Sequence, residues 1–307
     1  MASIMTNMSA MTALQSLNNT NKALATTQSR ISTGFRVNSA EDNAAYWSIA
    51  TTMRSDNGAL STVKDALGLG AATIDVAYTG VNSSIEAAKQ IKNKLVAARQ
   101  PGVDRDKIQS EVSELQRQLR SIGESSVFSG QNWIAVDSSN AGYNPTQTIV
   151  ASFSRTNSTI SIGTIAINIS ATELYDAADQ SGILDSTDTT ANGGVTYSVD
   201  TFDISTLTDS TADLQDLEQM ITWVDTAIGN MTTAAANLGA VKQRVSLQQD
   251  FVRSLMDAIN RGIGTLVDAD MNEESTRLQA LQVQQQLGVQ SLSIANQNNQ
   301  SILQLFK

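Results

Sequence analysis

Four aspartates near the middle of the chain, Asp176, Asp179, Asp185 and Asp188, are the first residues whose type and spacing invite chemistry, because clustered carboxylates are what a calcium loop is built from. Their intervals match no EF-hand loop, and the sequence reads them as a solvated loop. Gly68-Leu69-Gly70 offers two glycines of a phosphate-binding turn. No strand precedes them and no third glycine follows, so they read as small residues inside a helix that let a neighbouring helix approach closely. Tyr46 and Trp47 adjoin a break in the helical pattern and are expected to wedge that break against the helices. Residues 157–159 (Asn-Ser-Thr) and 168–170 (Asn-Ile-Ser) match the glycosylation acceptor pattern, which arises readily by chance in a Ser/Thr-rich region.

What is missing excludes more. The 307 residues include no Cys and no His. Thiolate catalysis, disulfides, Cys/His zinc sites and imidazole relays are therefore ruled out. No catalytic residue, metal ligand or cofactor is expected. The net charge of −10 is concentrated: between Ser138 and Val241 one basic residue, Arg155, faces 12 acidic ones, while the rest of the chain holds 19 basic and 18 acidic residues. With no basic stripe to neutralise phosphates, nucleic acid is not an expected partner. No run of about 18 apolar residues exists, so no membrane span is expected. The first seven residues lack the basic start and apolar run of a cleaved signal peptide, which points to an internal protein or to export by another route.

The elements that must position these residues are written as heptads. From Leu214 to Ile263, steps of 3 and 4 meet apolar residues at 13 of 15 positions. A matching stripe runs from Tyr46 through Met53, Leu60, Leu67, Ile74, Val81 and Ile91 to Ala98, where Pro101-Gly102 ends it. A shorter helix follows with Asp104 as its N-cap and Ile108, Val112, Leu115, Leu119 and Ile122 on one face. Outside these long stripes lie two weaker ones. Leu14, Leu17, Asn21, Leu24, Gln28 and Ile31 run into Gly34-Phe35-Arg36-Val37-Asn38-Ser39, and Val267, Met271, Glu274, Leu278, Leu281, Gln285, Gly288, Leu292, Ala295, Asn299, Ile302 and Phe306 follow a phase slip at Gly262-Ile263-Gly264. Polar seam residues specify register at a cost in stability. The outer helices are thus expected to be loosely ordered alone and to fold fully when many copies pack, as in a self-assembling subunit. Between them, Thr159–Ile169 alternates as one or two strands with one buried face, Thr196–Ser205 alternates more weakly, and Ser186–Ser198 has loop composition. The expected fold is mainly α: a long coiled-coil-like bundle made by both chain ends, with a small β-rich central outer domain.

The run Ser29-Arg30-Ile31-Ser32-Thr33-Gly34-Phe35-Arg36-Val37-Asn38-Ser39-Ala40-Glu41-Asp42-Asn43-Ala44-Ala45 is similar to the N-terminal signature of bacterial flagellins, and Ile294-Ala295-Asn296-Gln297 with Ser301-Ile302-Leu303-Gln304-Leu305-Phe306 resembles the flagellin C-terminus. Tyr46-Trp47-Ser48-Ile49-Ala50 and the short middle look like the alphaproteobacterial branch. The likeness covers roughly residues 1–137 and 211–307.

This resemblance implies a structural subunit that polymerises into the flagellar filament, with no enzyme activity. Residues 1–43 with 265–307 would form the inner tube, 44–140 with 208–264 the outer helical bundle with a β-hairpin, and 141–207 a small acidic surface domain. The polymerisation seam would comprise Leu14, Leu17, Leu24, Ile31, Leu278, Leu281, Leu292, Ile302 and Phe306, and the spoke and break residues Gly34, Arg36, Asn38, Gly262 and Gly264. Implied partners are further copies of the chain, other flagellins, the flagellar export apparatus with a chaperone, and cap and hook-associated proteins. Export would be unfolded, without a cleaved signal, to an extracellular filament. Flagellins are also sensed by host innate receptors. Here Lys89-Gln90-Ile91-Lys92-Asn93-Lys94-Leu95 departs from the Arg- and Glu-bearing pattern of strongly recognised members, and Ser39–Ala50 departs from the form plant receptors detect best, which counts against such recognition. Rival readings are a hook–filament junction protein, a flagellin with an enzymatic middle, which the lack of any His-Glu-x-x-His helix opposes, and a coiled-coil secreted adhesin.

Overall fold

A computed structural model describes residues 7–156, 159–192 and 194–305, of which 298–305 by backbone alone. The described residues form helices α1 (Met8–Thr33), α2 (Ala44–Ala98), α3 (Arg105–Ser125), α4 (Thr211–Val267) and α5 (Met271–Leu305). Between α3 and α4 lie short strands β1 (Val127–Phe128), β2 (Gln131–Asn132), β3 (Ala135–Val136), β6 (Tyr175–Asp176), β7 (Asp188–Thr189) and β8 (Thr196–Tyr197), and the long pair β4 (Thr146–Thr156) and β5 (Thr159–Asn168). The protein is thus mainly helical, with its strands confined to the middle. Two compact units result, Met1–Gly58 with Met256–Lys307 and Ala59–Leu255. Both unit boundaries fall inside helices, α2 and α4, whereas the divisions expected at 43 and 265 follow breaks in the sequence pattern.

In the first unit α1 starts at Asn7, whose Oδ1 accepts the Ala10 N–H at 3.0 Å, and ends at Gly34, whose φ of 75° is the left-handed conformation a glycine adopts without a Cβ clash. The second break does not lie where the phase slip placed it. Gly262 and Gly264 are inside α4, which runs on to Val267, and the chain leaves the helix only at Asp268-Ala269-Asp270. The reason is packing. Interior glycines cost about 1 kcal/mol each, but Ile263 and Val267 continue the buried stripe by steps of four and close a core with Val37 and Ala50, lined by Phe35, Met53, Ile259 and Leu266. A Cβ at Gly262 would stand 2.9 Å from the Met53 methyl, so the glycine lies against α2 inside the helix and does not end α4. Asp270 then opens α5, its Oδ1 accepting the N–H groups of Asn272 at 2.9 Å and Glu273 at 3.3 Å.

In the second unit the heptad faces of α2 and α4 are the core. Leu60, Leu67, Ile74, Ile91 and Leu95 of α2 and Leu217 of α4 are fully buried, with Leu119 of α3 and Ile134, Ile169, Leu174, Leu184 and Ile204 from the middle. Asp104 caps α3 through the Lys107 N–H at 3.3 Å. Two glutamines of α3 fasten the middle of the chain: Gln116 donates to the carbonyls of Val199 and Phe202, and Gln109 accepts the Ile204 N–H. Buried Arg105 ties the return to α4, donating to the carbonyls of Ala98 and Leu207 and to Asp209 at 2.7 Å. The alternation over Thr159–Ile169 is β5, paired antiparallel with β4, with a register shift between Val150 and Ser152. Ile165 and Ile167 face inward, while Ile160 and Ile162 are exposed. Most of Thr196–Ser205, by contrast, is loop, because its polar backbone is taken up by α3 side chains instead of a partner strand.

Candidate assembly surface of the terminal helices

Three polar staples set α1 antiparallel to α5. Asn7 Nδ2 donates to the Ala295 carbonyl at 3.0 Å, Gln285 Nε2 to Asn21 Oδ1 at 2.8 Å, and Arg30 Nη1 to Glu274 Oε1 at 3.0 Å. Between the staples the apolar residues that the sequence marks as a seam meet. Leu17, Leu24 and Ile31 of α1 and Leu278, Leu281 and Leu292 of α5 are all half-buried. Leu17 Cδ1 lies 3.2 Å from where a Cβ on Gly288 would stand, so that glycine sets how closely the helices approach.

The seam phase differs from the sequence reading on one side. Ala13, Thr20 and Thr27 accompany Leu17, Leu24 and Ile31 on the covered face of α1, Thr27 at 2% exposure, whereas Leu14, Asn21 and Gln28 are exposed. A seven-residue repeat anchored on one column leaves two neighbouring columns open, and the partner helix selects between them. Leu14 therefore belongs with Met8 and Met11 on an uncovered apolar face. On α5, Val283, Leu287, Val289 and Ile294 are likewise exposed. None of these residues besides Leu14 falls on the heptad seam of the sequence, although Val283, Leu287 and Ile294 recur at helical spacing. Ile302 lies within α5, its side chain outside the described residues, as is Phe306 altogether.

Among the described residues of this unit the Arg30–Glu274 pair is the most buried ionic contact. The Glu274 side chain is 6% exposed and that of Arg30 26%. Only one hydrogen bond joins them, and Arg30 Nε and Glu274 Oε2 are buried without partners. A buried charge stripped of its partner is costly, so this contact resists any slip in register.

Next to it the connection from α1 to α2 is stitched to the end of α4. Phe35 bridges Asp268, the Arg36 and Val37 N–H groups donate to the Val267 carbonyl, and Ala269 N–H donates to Gly34. Arg36 Nη2 reaches the Leu266 carbonyl at 3.2 Å. Asp42 Oδ2 accepts the N–H groups of Asn38 and Ser39 at 3.0 Å each, and these backbone bonds hold its carboxyl below the usual range. Gly34, Arg36 and Asn38 thus share one cross-linked segment, while Gly262 and Gly264 lie in the helix beside it. Tyr46 and Trp47, expected as wedges, are 41% and 37% exposed; Val37 and Ala50 fill the position assigned to them.

Asp179 and Asp188 are exposed, as a solvated loop requires, but Asp176 and Asp185 are not. Asp176 is 1% exposed. Burial by itself would raise its pKa, but it accepts the N–H groups of Ser138 and Ala178 and the Ser181 hydroxyl, and together these bring it down to about 2. Asp185, whose pKa burial raises, accepts the Asp176 N–H at 2.7 Å. Asp179 holds a local turn by accepting the Ser181 N–H, and Asp188 accepts the N–H of its neighbour Thr189 in β7. Among the described residues no three acidic side chains converge as a metal site. Gly70 serves a strand, not a helix: a Cβ there would lie 2.5 Å from Ile149 Cδ1 of β4, and Gly68 faces open space. Asn168 of the second acceptor pattern caps a turn through Ser170, and Asn157 of the first lies outside the described residues. No described helix is long and apolar enough to cross a membrane.

Comparison with known proteins converges on the same two ends. Residues 4–139 match the family model of the bacterial flagellin N-terminal helical region, and residues 221–306 that of the C-terminal helical region. The chain is 49% identical to "Flagellin C" of Rhizobium meliloti (strain 1021), 40% to "Flagellin A" of the same strain, and 44% to "Flagellin" of Brucella melitensis biotype 1, each alignment covering 100% of both chains.

Proposed function

Since this chain belongs to the bacterial flagellin family, we propose that it acts as a structural subunit of the extracellular flagellar filament, polymerising through the faces of α1 and α5. The observation that carries this reading is the uncovered apolar residues Met8, Met11 and Leu14 on α1 and Val283, Leu287, Val289 and Ile294 on α5. Two helices pairing alone leave such residues in water, and a further copy removes them from it. The half-buried residues Leu17, Leu24, Ile31, Leu278, Leu281 and Leu292 join α1 to α5 within one copy, and Ile302 and Phe306 extend the proposed seam.

On this reading residues 1–43 with 265–307 build the inner tube, 44–140 with 208–264 the outer bundle, and 141–207 the acidic surface domain. The cross-linked segment with Gly34, Arg36 and Asn38 is the spoke, with Gly262 and Gly264 in the α4 turn that it packs on. The chain leaves the cell unfolded through the flagellar export apparatus with a chaperone, and meets cap and hook-associated proteins at the tip. Full-length alignment with flagellins favours this over a hook–filament junction protein.

Deleting about the last 20 residues tests the mechanism. The truncated protein is expected to keep the helical circular dichroism of the 59–255 unit and to form no filaments by negative-stain microscopy. Long filaments from the truncated protein would sink the proposal, and short capped oligomers from the intact protein would favour the junction reading.

A further inference from the structure

The chain carries nine methionines and no cysteine, so thioethers are the sulfur it can offer to an oxidant. Their places in the structure differ. Met220 and Met231 are buried in the core of the 59–255 unit, and Met53 and Met256 are half-buried. Met8 and Met11 stand 69% and 59% exposed on α1, and Met271, at the start of α5, is 44% exposed. Met1 and Met5 lie outside the described residues.

Met8 and Met11 are three residues apart and so are neighbours on the helix surface, with Leu14 three further on. All three are on the face of α1 that α5 leaves bare, while Ala13 and Leu17 are on the covered face. A free subunit therefore holds both sulfurs in water, and a further copy laid on this face withdraws them. Oxidation to the sulfoxide turns an apolar side chain into a polar one with a strong acceptor oxygen. In water that oxygen is hydrated, whereas on a covered apolar face it must give up the water. Neither residues 2–21 nor residues 278–306 include a charged side chain, so the strongest donors, ammonium and guanidinium, are absent from both stretches. Oxidation thus leaves the free subunit nearly unchanged in free energy and raises that of the assembled one.

We propose that Met8 and Met11 are an oxidation site that controls addition of the subunit to further copies: a peroxide oxidises both thioethers while the subunit is free, and the sulfoxides keep this face of α1 from being covered. The sulfur lone pair attacks one oxygen of hydrogen peroxide, and the S–O bond forms as the O–O bond breaks. The sulfur is oxidised by two electrons, and the second oxygen takes the proton of the first and leaves as water. The inference rests on the reading of this face as an assembly surface.

The test starts from the full-length protein dissociated into subunits. One portion is treated with hydrogen peroxide, the peroxide is removed with catalase, sulfoxides are located by mass spectrometry, and the critical concentration for filament growth is measured. Each protein is compared with its own untreated portion, so any effect of a substitution on basal assembly cancels. Treatment should raise the value for the parent about tenfold or more. The rise should vanish in Met8→Leu/Met11→Leu, which keeps apolar side chains of similar volume without the sulfur, and should persist in Met271→Leu. Methionine sulfoxide reductases A and B together should restore the treated parent, which reads the same point without a substitution. Intact filaments given the same dose should gain sulfoxide at Met8 and Met11 more slowly than free subunits do. Subunits oxidised at both positions that assemble like the untreated parent, or a leucine pair as sensitive as the parent, overturn the inference and leave the filament reading standing. Untreated protein that forms no filaments overturns the assembly reading and this inference with it.

Discussion

Replacing Arg30 by Leu should loosen the terminal helices far more than removing the whole ion pair does. The change deletes the guanidinium from Glu274 Oε1, and Glu274 Oε2 already lacks a partner, so a carboxylate only 6% exposed is left with nothing to bond. Breaking a buried pair by removing one member costs about 3–5 kcal/mol. Arg30 is 26% exposed, so water reaches part of the space it vacates, and the lower end, about 3 kcal/mol, is the expected value. At a factor of ten per 1.4 kcal/mol this is about a hundredfold in the opening equilibrium of α1 from α5. The double variant Arg30→Leu/Glu274→Leu leaves no charge behind and should cost less than about 1 kcal/mol. The readouts are hydrogen exchange of α1 and α5 amides in the dissociated protein and the critical concentration for assembly. Should the single variant cost no more than the double, the stranded carboxylate is not the cause and the argument fails.

Asn7→Ala should cost about 1–2 kcal/mol locally, since it loses both the cap on Ala10 and the bond to the Ala295 carbonyl, and exchange of the first α1 amides should rise accordingly. Gly70→Ala should destabilise the 59–255 unit by about 1–3 kcal/mol, because three Ile149 side-chain carbons would lie within 3.0 Å of the new methyl; Ile149→Ala in the same chain should recover part of that loss in urea unfolding. Gly262→Ala should be close to neutral, since only the flexible Met53 methyl must move and helix propensity gains about 1 kcal/mol. Asp176 has a folded pKa of about 2, below the ordinary aspartate value near 3.9, so its contribution is complete above that value and is lost as pH falls towards 2. The stability gap between the parent and Asp176→Asn should therefore narrow as unfolding is repeated from pH 5 down to pH 2, and a constant gap would refute the assignment.

Seven-residue periodicity was enough to determine the long helices and most of the face each one buries, because an α-helix returns to the same side every 3.6 residues whatever it packs on. The stripe from Leu60 to Ala98 is buried as its spacing dictates, and so is most of its counterpart from Leu217 to Val252, where Ile221 and Ile228 are half-buried and Lys242 is exposed. Asp104 and Gly34 acted as helix punctuation for equally local reasons, a side-chain oxygen within reach of a free N–H and a left-handed φ. Tertiary structure decided whatever depended on a partner distant in sequence. The glycines at 262 and 264 weaken a helix locally, yet Val37 and Ala50 reward its continuation to Val267. Leu14 and Ala13 flank the same column of α1, and only the position of α5 covers one and bares the other. Asp176 looks like loop composition until Ser138, 38 residues away, donates to it. Arg30 and Glu274 are 244 residues apart, and each alone reads as a surface charge or a flaw in a seam. Periodicity carries the fold because it repeats within a few turns; pairing needs the folded chain to bring the second residue into reach.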